Sequence, residues 1–242
     1  MRHIIIFPFW TENEVKILDL LSKNWNHFAN EHVEYEFLLL ARSDYEGDIQ
    51  FLIDQFSKIK PTKFHKCTSL ISTHDSKNLN ATNMFLDASE HITSRYIEDG
   101  GFFLWFEADM LPCNKNWLSQ IHQEWSENKP SIMGFHVTRE RLNANFYFPE
   151  HINGGACYSK DLFNLIDKEK VIESGVFDLA ISPYLQSKGH KIYDSTLWDL
   201  RIDAKCQAIR MDEPLDKSKA IVHGIKTFDL YSKFLGELIN DQ

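Results

Sequence analysis

The run Phe102-Phe103-Leu104-Trp105-Phe106-Glu107-Ala108-Asp109 decides how this chain is read. Five apolar residues without polar alternation do not describe a half-exposed strand, because successive strand side chains point to opposite faces. They describe a strand at the centre of a largely parallel sheet, covered on both sides. Two carboxylates follow immediately, and in open α/β sheets ligands gather outside the carboxyl ends of the strands. In a turn, Glu107 and Asp109 can reach a single ligand, and their hard oxygens suit Mg²⁺ or Mn²⁺ bridged to phosphates. The plainer alternative is an exposed acidic turn in which Asp109 caps the next segment, since short acidic patterns recur by chance.

Outward from that strand, apolar strands alternate with helical patterns, which predicts an α/β fold: a mostly parallel central sheet flanked by helices. Ile4 to Phe9 is the first strand. Thr11 caps a helix that carries Val15, Leu18, Leu21 and Trp25 at helical spacing. Tyr35 to Leu40, Asp48 to Ile59 and Phe64 to Cys67 read as strand, helix and short strand, and Asn80 to Tyr96 as a helix ending at Gly100-Gly101. Downstream the pattern predicts a helix over Asn116 to Trp125, a strand over Ser131 to Val137, helices over Ser159 to Ile166 and Phe177 to Lys188, and a closing helix over Phe228 to Ile239. With 242 residues and no composition shift, the whole of 1–242 is expected to be one domain.

Apolar residues make up 43% and charged residues 25%, a globular balance. The formal net charge of −9 gives no general attraction to nucleic acid or anionic lipid. Cys67, Cys113, Cys157 and Cys206 lack paired spacing and read as reduced, buried thiols. No run approaches the ~18 apolar residues of a membrane span, and the opening segment has no cleavage-site pattern, so the expected location is cytoplasmic.

A second constellation lies far downstream. His223-Gly224-Ile225-Lys226 follows the apolar pair Ile221-Val222, presenting an imidazole and an ammonium beyond a short strand. Imidazole ligates borderline ions such as Mn²⁺, and a lysine suits a diphosphate on which charge develops. Taken alone, the segment reads first as a surface His and Lys beside a glycine; its conjunction with Glu107 and Asp109 is what raises it to a candidate site.

Together, the first strand ending at Pro8-Phe9-Trp10, the apolar strand into Glu107-Ala108-Asp109, the Asn153-Gly154-Gly155-Ala156 segment and the late His223-x-x-Lys226 resemble, in that order, the GT-A superfamily of nucleotide-sugar glycosyltransferases. The resemblance implies a Rossmann-like GT-A domain with a nucleotide-binding half (1–110) and an acceptor-binding half (111–242). It implies that Glu107, Asp109 and His223 hold Mn²⁺ or Mg²⁺, and that Lys226 contacts the diphosphate of a nucleoside-diphosphate sugar, a UDP-sugar being the leading expectation. Pro8, Phe9 and Trp10, with Arg42 and Asp44, are the candidates for the nucleotide. Gly154 and Gly155 are expected to let the sugar lie against backbone, although a plain turn would use the same residues. Glu107 stands where the family's motif has its first Asp, which leaves its direct coordination open.

Asp178 sits where inverting members place the base that deprotonates the acceptor hydroxyl; an ordinary helix N-cap is the competing reading. The acceptor implied is a saccharide or another hydroxyl compound, and Trp198, Tyr147 and Tyr158 are offered as flat faces for sugar rings. A modified DNA base remains a possible acceptor class, although the acidic charge and the lack of a Lys/Arg cluster argue against it. Two other functions compete: transfer of a nucleotidyl group to a sugar phosphate, for which the Gly-rich basic loop after the first strand is missing, and nucleotide-sugar binding without catalysis.

Overall fold

The structure is a computed structural model that describes residues 2–29, 32–68, 77–93, 100–142, 144, 149–203, 205 and 207–240. In chain order β1 (Arg2–Phe9), α1 (Glu12–Asn24), β2 (Glu34–Ala41), α2 (Gln50–Ser57), β3 (Thr62–Lys66), α3 (Lys77–Thr93) and β4 (Phe102–Trp105) lead to β5 (Met110–Pro112) and α4 (Trp117–Asn128). Next come β6 (Ile132–Gly134), β7 (His136–Val137), β8 (His151–Ile152), β9 (Cys157–Ser159), α5 (Leu162–Leu165), α6 (Lys168–Ser174) and α7 (Phe177–Ser187). The chain closes through β10 (Ile192–Asp194), β11 (Trp198–Leu200), β12 (Ile221–His223) and α8 (Phe228–Asn240).

Seven strands form the main sheet in the order β10-β6-β9-β4-β1-β2-β3. Only β9 runs antiparallel to its neighbours. The central strand β4 shows why its sequence does not alternate. Phe102, Leu104 and Phe106 enter one core with α1, α2, α4 and α8, while Phe103 and Trp105 enter a second core with α3, α5, α6 and α7. Both faces are covered, so each residue exchanges water for packed side chains, worth roughly 1.5–3 kcal/mol for a fully buried Phe. Helix α1 begins as expected: Thr11 accepts from the Glu14 amide while the Glu14 carboxylate accepts from Thr11, a complete capping box.

Several expectations need correction. The strand expected over Ser131 to Val137 is two strands in different sheets, separated at Phe135. At Gly134 an added Cβ would lie 2.7 Å from Ala156 Cβ, so the chain passes β9 too closely for a side chain. The helix expected from Ser159 is shorter, Leu162–Leu165, because Cys157–Ser159 pairs as a strand between β4 and β6. Tyr158 alternates inward there and stacks on Phe103 at 5.3 Å. Helix α6 and strands β10 and β11 were not anticipated. Cys67, Cys113 and Cys157 are buried free thiols, and Cys206 lies outside the described residues. Among the described residues no helix is long and apolar enough to cross a membrane.

A smaller sheet, β11-β12-β5, positions the site. Strand β12 runs antiparallel to β5 with His223 opposite Met110, so the end of β12 meets the turn at 107–109. The connection from β11 to β12 is tied down by Arg201, only 1% exposed, which donates to Asp199 and to the carbonyls of Arg210, Glu213 and Pro214.

Candidate active site

Strand β4 ends at Trp105, and a turn closes when the Met110 amide donates to the Glu107 carbonyl at 2.9 Å. The turn is fastened to the other end of the chain by the Asp109 carbonyl, which accepts from both the Gly224 and Ile225 amides at 3.0 Å. Gly224 holds φ of +109°, and an added Cβ would meet the Arg201 backbone at 3.0 Å. Glycine is therefore required here by chain packing.

These backbone contacts bring the side chains together. His223 Nε2 lies 3.0 Å from Glu107 Oε2 and 3.0 Å from Asp109 Oδ1, and Lys226 Nζ pairs with Asp109 Oδ2. One ligand atom from each of Glu107, Asp109 and His223 falls within 4.8 Å of the others. Asp109 Oδ1 is buried and makes no well-aligned hydrogen bond, with His223 Nε2 at 3.0 Å as its charged neighbour, and such an oxygen is one that a cation would satisfy. Two carboxylate oxygens and an imidazole nitrogen are the donor set a Mn²⁺ or Mg²⁺ ion accepts, so the residues fit the group the resemblance implies.

Electrostatics point the same way. Burial opposes charge on His223, but Asp109 and Glu107 outweigh it and lift its pKa from 6.5 to about 9. Burial also opposes charge on Asp109, yet His223 and Lys226 hold its carboxyl well below the usual carboxylate range. A pKa raised on folding stabilises the protein below the unfolded value of 6.5, and that stability is lost as pH rises through 9. In excess chelator, the melting temperature is therefore expected to fall between pH 6.5 and 9, and His223→Gln to flatten that slope. An unchanged slope in the variant would remove His223 from the titration.

The glycine segment lies behind this cluster. An added Cβ on Gly155 would lie 2.6 Å from Met110 Sδ and 2.9 Å from Cε1 and Nδ1 of His223. One on Gly154 would lie 3.2 Å from Glu107 Oε1 and 3.5 Å from Asp178 Oδ2. What rests against Gly155 is the His223 ring, so the candidate ligands themselves account for the small residue. Gly155→Ala is expected to shift His223 and weaken Mn²⁺ binding about 10–100-fold, the range for disturbed support of a metal ligand. Mn²⁺ titration, with circular dichroism to confirm the fold, checks this; unchanged affinity would show that the ring has room to move.

The carbonyls of Gly154 and Gly155 are held from behind by the Tyr158 hydroxyl at 2.9 Å and Trp198 Nε1 at 2.8 Å. Trp198 and Tyr158, anticipated as sugar platforms in loops, are 3% and 1% exposed and lie within strands. Their rings are consumed by the core and their polar atoms by the glycine segment; Tyr147 lies outside the described residues.

Asp178 lies in the first turn of α7, whose N-cap residue is Val176 and has no side-chain cap. Its Oδ2 accepts from the Gly154 amide at 3.1 Å and its Oδ1 from the Leu179 amide at 2.9 Å. Burial pushes its pKa up, His151 opposes this, and Glu107 adds to it. His151, which no sequence pattern singled out, places Nε2 3.9 Å from Asp178 Oδ2 while its Nδ1–H donates to the Pro149 carbonyl at 2.8 Å.

The nucleotide candidates are divided. Phe9 is fully buried, edge-on to Tyr45 at 5.3 Å, and Pro8 is buried, whereas Trp10 is partly exposed beyond the end of β1. Arg42, whose amide donates to the Phe9 carbonyl, forms a bidentate pair with Asp44 at 2.5 and 2.8 Å. The ends of β1, β2 and β4 thus place Trp10, Arg42 and Glu107 along one edge of the sheet.

No family model and no curated protein matches the sequence. Solved structures do match. The chain is similar to the galactosyltransferase LgtC in complex with donor and acceptor sugar analogs, at 13% identity and a TM-score of 0.55, over 97% of this chain and 95% of that one. It is similar to the WbbM bifunctional glycosyltransferase at 8% identity and a TM-score of 0.56, over 100% of this chain and 52% of WbbM. S. aureus TarS aligns at 12% identity and a TM-score of 0.51, over 81% of this chain. The chain spans only 37% of TarS, against 95% of LgtC. With its mostly parallel seven-stranded sheet between two helical layers, the chain has the fold of the GT-A glycosyltransferases.

Proposed function

We propose that the chain transfers a sugar from a nucleoside-diphosphate sugar to an acceptor hydroxyl with the help of a divalent metal. The observation that carries this is the convergence of Glu107, Asp109 and His223 within 4.8 Å at the carboxyl edge of a GT-A sheet. In this reading Glu107, Asp109 and His223 hold Mn²⁺ or Mg²⁺, and Lys226 binds the donor diphosphate. The ion would supply Lewis-acid stabilisation of the charge that appears on the diphosphate as the glycosidic bond breaks. Trp10, with Arg42 and Asp44, lines the nucleotide side, so that 1–110 forms the nucleotide-binding half and 111–242 the acceptor-binding half, the latter also lending His223 and Lys226 to the donor. The donor expected first is a UDP-sugar, and the acceptor a saccharide.

Asp178 is the group assigned to take the proton from the attacking hydroxyl, giving inversion at the anomeric carbon. Its carboxylate is aimed by two backbone amides, and the burial that raises its pKa makes the carboxylate a better proton acceptor. The test is a thermal-shift screen of nucleoside diphosphates and nucleotide sugars with and without Mn²⁺. A ligand selective for the native state raises its melting temperature by mass action. Stabilisation that needs both components is the expected result; stabilisation by none of them, or equal stabilisation in chelator, overturns the metal-dependent reading.

A further inference from the structure

Lys226 and a divalent ion call on the same carboxylate. Lys226 Nζ sits on Asp109 Oδ2, while the other oxygen of that group, Oδ1, lies 3.0 Å from His223 Nε2 among the candidate ligands. The Asp109 side chain is only 14% exposed, so little water is available to screen two cations brought to it together. The Gly224 and Ile225 amides fix the main chain beside Lys226 to Asp109, while the lysine side chain, 40% exposed, is long and flexible enough to change its direction.

We propose that Lys226 is a placeholder cation that couples metal and nucleotide binding. Without ligands, its ammonium neutralises Asp109. When Asp109 serves a divalent ion, Lys226 is expelled and becomes available to the diphosphate; when the diphosphate takes the ammonium first, Asp109 is left charged for the ion. Each ligand removes the other's competitor, so each tightens the other by the same factor, as linkage requires. This rests on the metal and diphosphate roles proposed above and adds to them an exchange of cations at Asp109 by which Lys226 enlarges the coupling between the two ligands.

The experiment is Mn²⁺ binding followed by the electron paramagnetic resonance signal of the free ion, with no nucleotide and with saturating UDP or GDP. It is run on the wild type, Lys226→Met and Asp109→Asn, with circular dichroism to confirm the fold. Lys226→Met is expected to tighten Mn²⁺ binding about tenfold without nucleotide and to lower the coupling factor between metal and nucleotide about tenfold. If Lys226 merely repelled the ion, the variant would tighten Mn²⁺ equally with and without nucleotide, leaving the coupling unchanged. That result overturns the inference, as does unchanged affinity without nucleotide, and neither touches the metal site provided Asp109→Asn abolishes binding. If Mn²⁺ binds no form of the protein, or binds Asp109→Asn as well as wild type, the metal assignment fails and the inference falls with it.

Discussion

Asp109→Asn is expected to abolish metal-dependent turnover, a loss of at least about 10³-fold, because several kcal/mol of charge stabilisation depend on the ion the carboxylate holds. The substitution keeps the side-chain shape and does not touch the Asp109 carbonyl that accepts from Gly224 and Ile225, so the fastening of β12 to the turn survives. What disappears is the negative charge that holds His223 protonated and pairs with Lys226. The variant should therefore fold, lose Mn²⁺-dependent binding of the nucleoside diphosphate in calorimetry, and lose sugar transfer in parallel. Donor binding that persists in excess chelator and is indifferent to this change would remove Asp109 from the metal site.

The second large effect is expected at Asp178. General-base assistance contributes ~10²–10⁴-fold, and Asp178→Asn should lower the transfer rate by about that factor with donor affinity nearly unchanged. Asparagine keeps one of the two accepting oxygens, so it retains one of the bonds from the Gly154 and Leu179 amides and loses the other, and the rate is therefore read per folded molecule. Asp178→Ala removes both bonds and is expected to add a stability loss on the order of 1–3 kcal/mol. A near-normal rate in the Asn variant, or a product that retains the donor's anomeric configuration by nuclear magnetic resonance, would take Asp178 out of the mechanism. Stability loss in both variants, larger in the Ala variant, with normal rate per folded molecule in both, would leave it as the anchor of the glycine segment.

Much of the architecture was legible in local patterns. The unbroken run Phe102 to Phe106 announced a strand covered on both faces, because only burial on both sides lets every residue of a strand be apolar; the structure divides it between two cores. Thr11 announced the start of α1 because an N-cap is a contact between near neighbours, and the structure completes it with Glu14. Local signals failed where short strands compete with helix. Tyr158 and Ser159 pair with residues far away in β4 and β6, and no window around them records those partners.

By itself the sequence determined which residue types sit at strand ends: the Glu107 and Asp109 carboxylates after β4, His223 at the end of β12 and Lys226 beyond it. Only the tertiary structure decided that they form one cluster, since His223 and Glu107 lie 116 residues apart and meet because β12 pairs antiparallel with β5. It decided too that Trp198 and Tyr158 serve the glycine segment from within the core, that His151 stands beside Asp178, and that Lys226 occupies the carboxylate of Asp109. The division has a physical cause. Periodicity and caps arise from forces between residues a few positions apart, which a sequence displays directly, whereas pKa values, ion pairs and metal geometry depend on distances of a few ångströms between distant segments, which exist only once the sheets are paired.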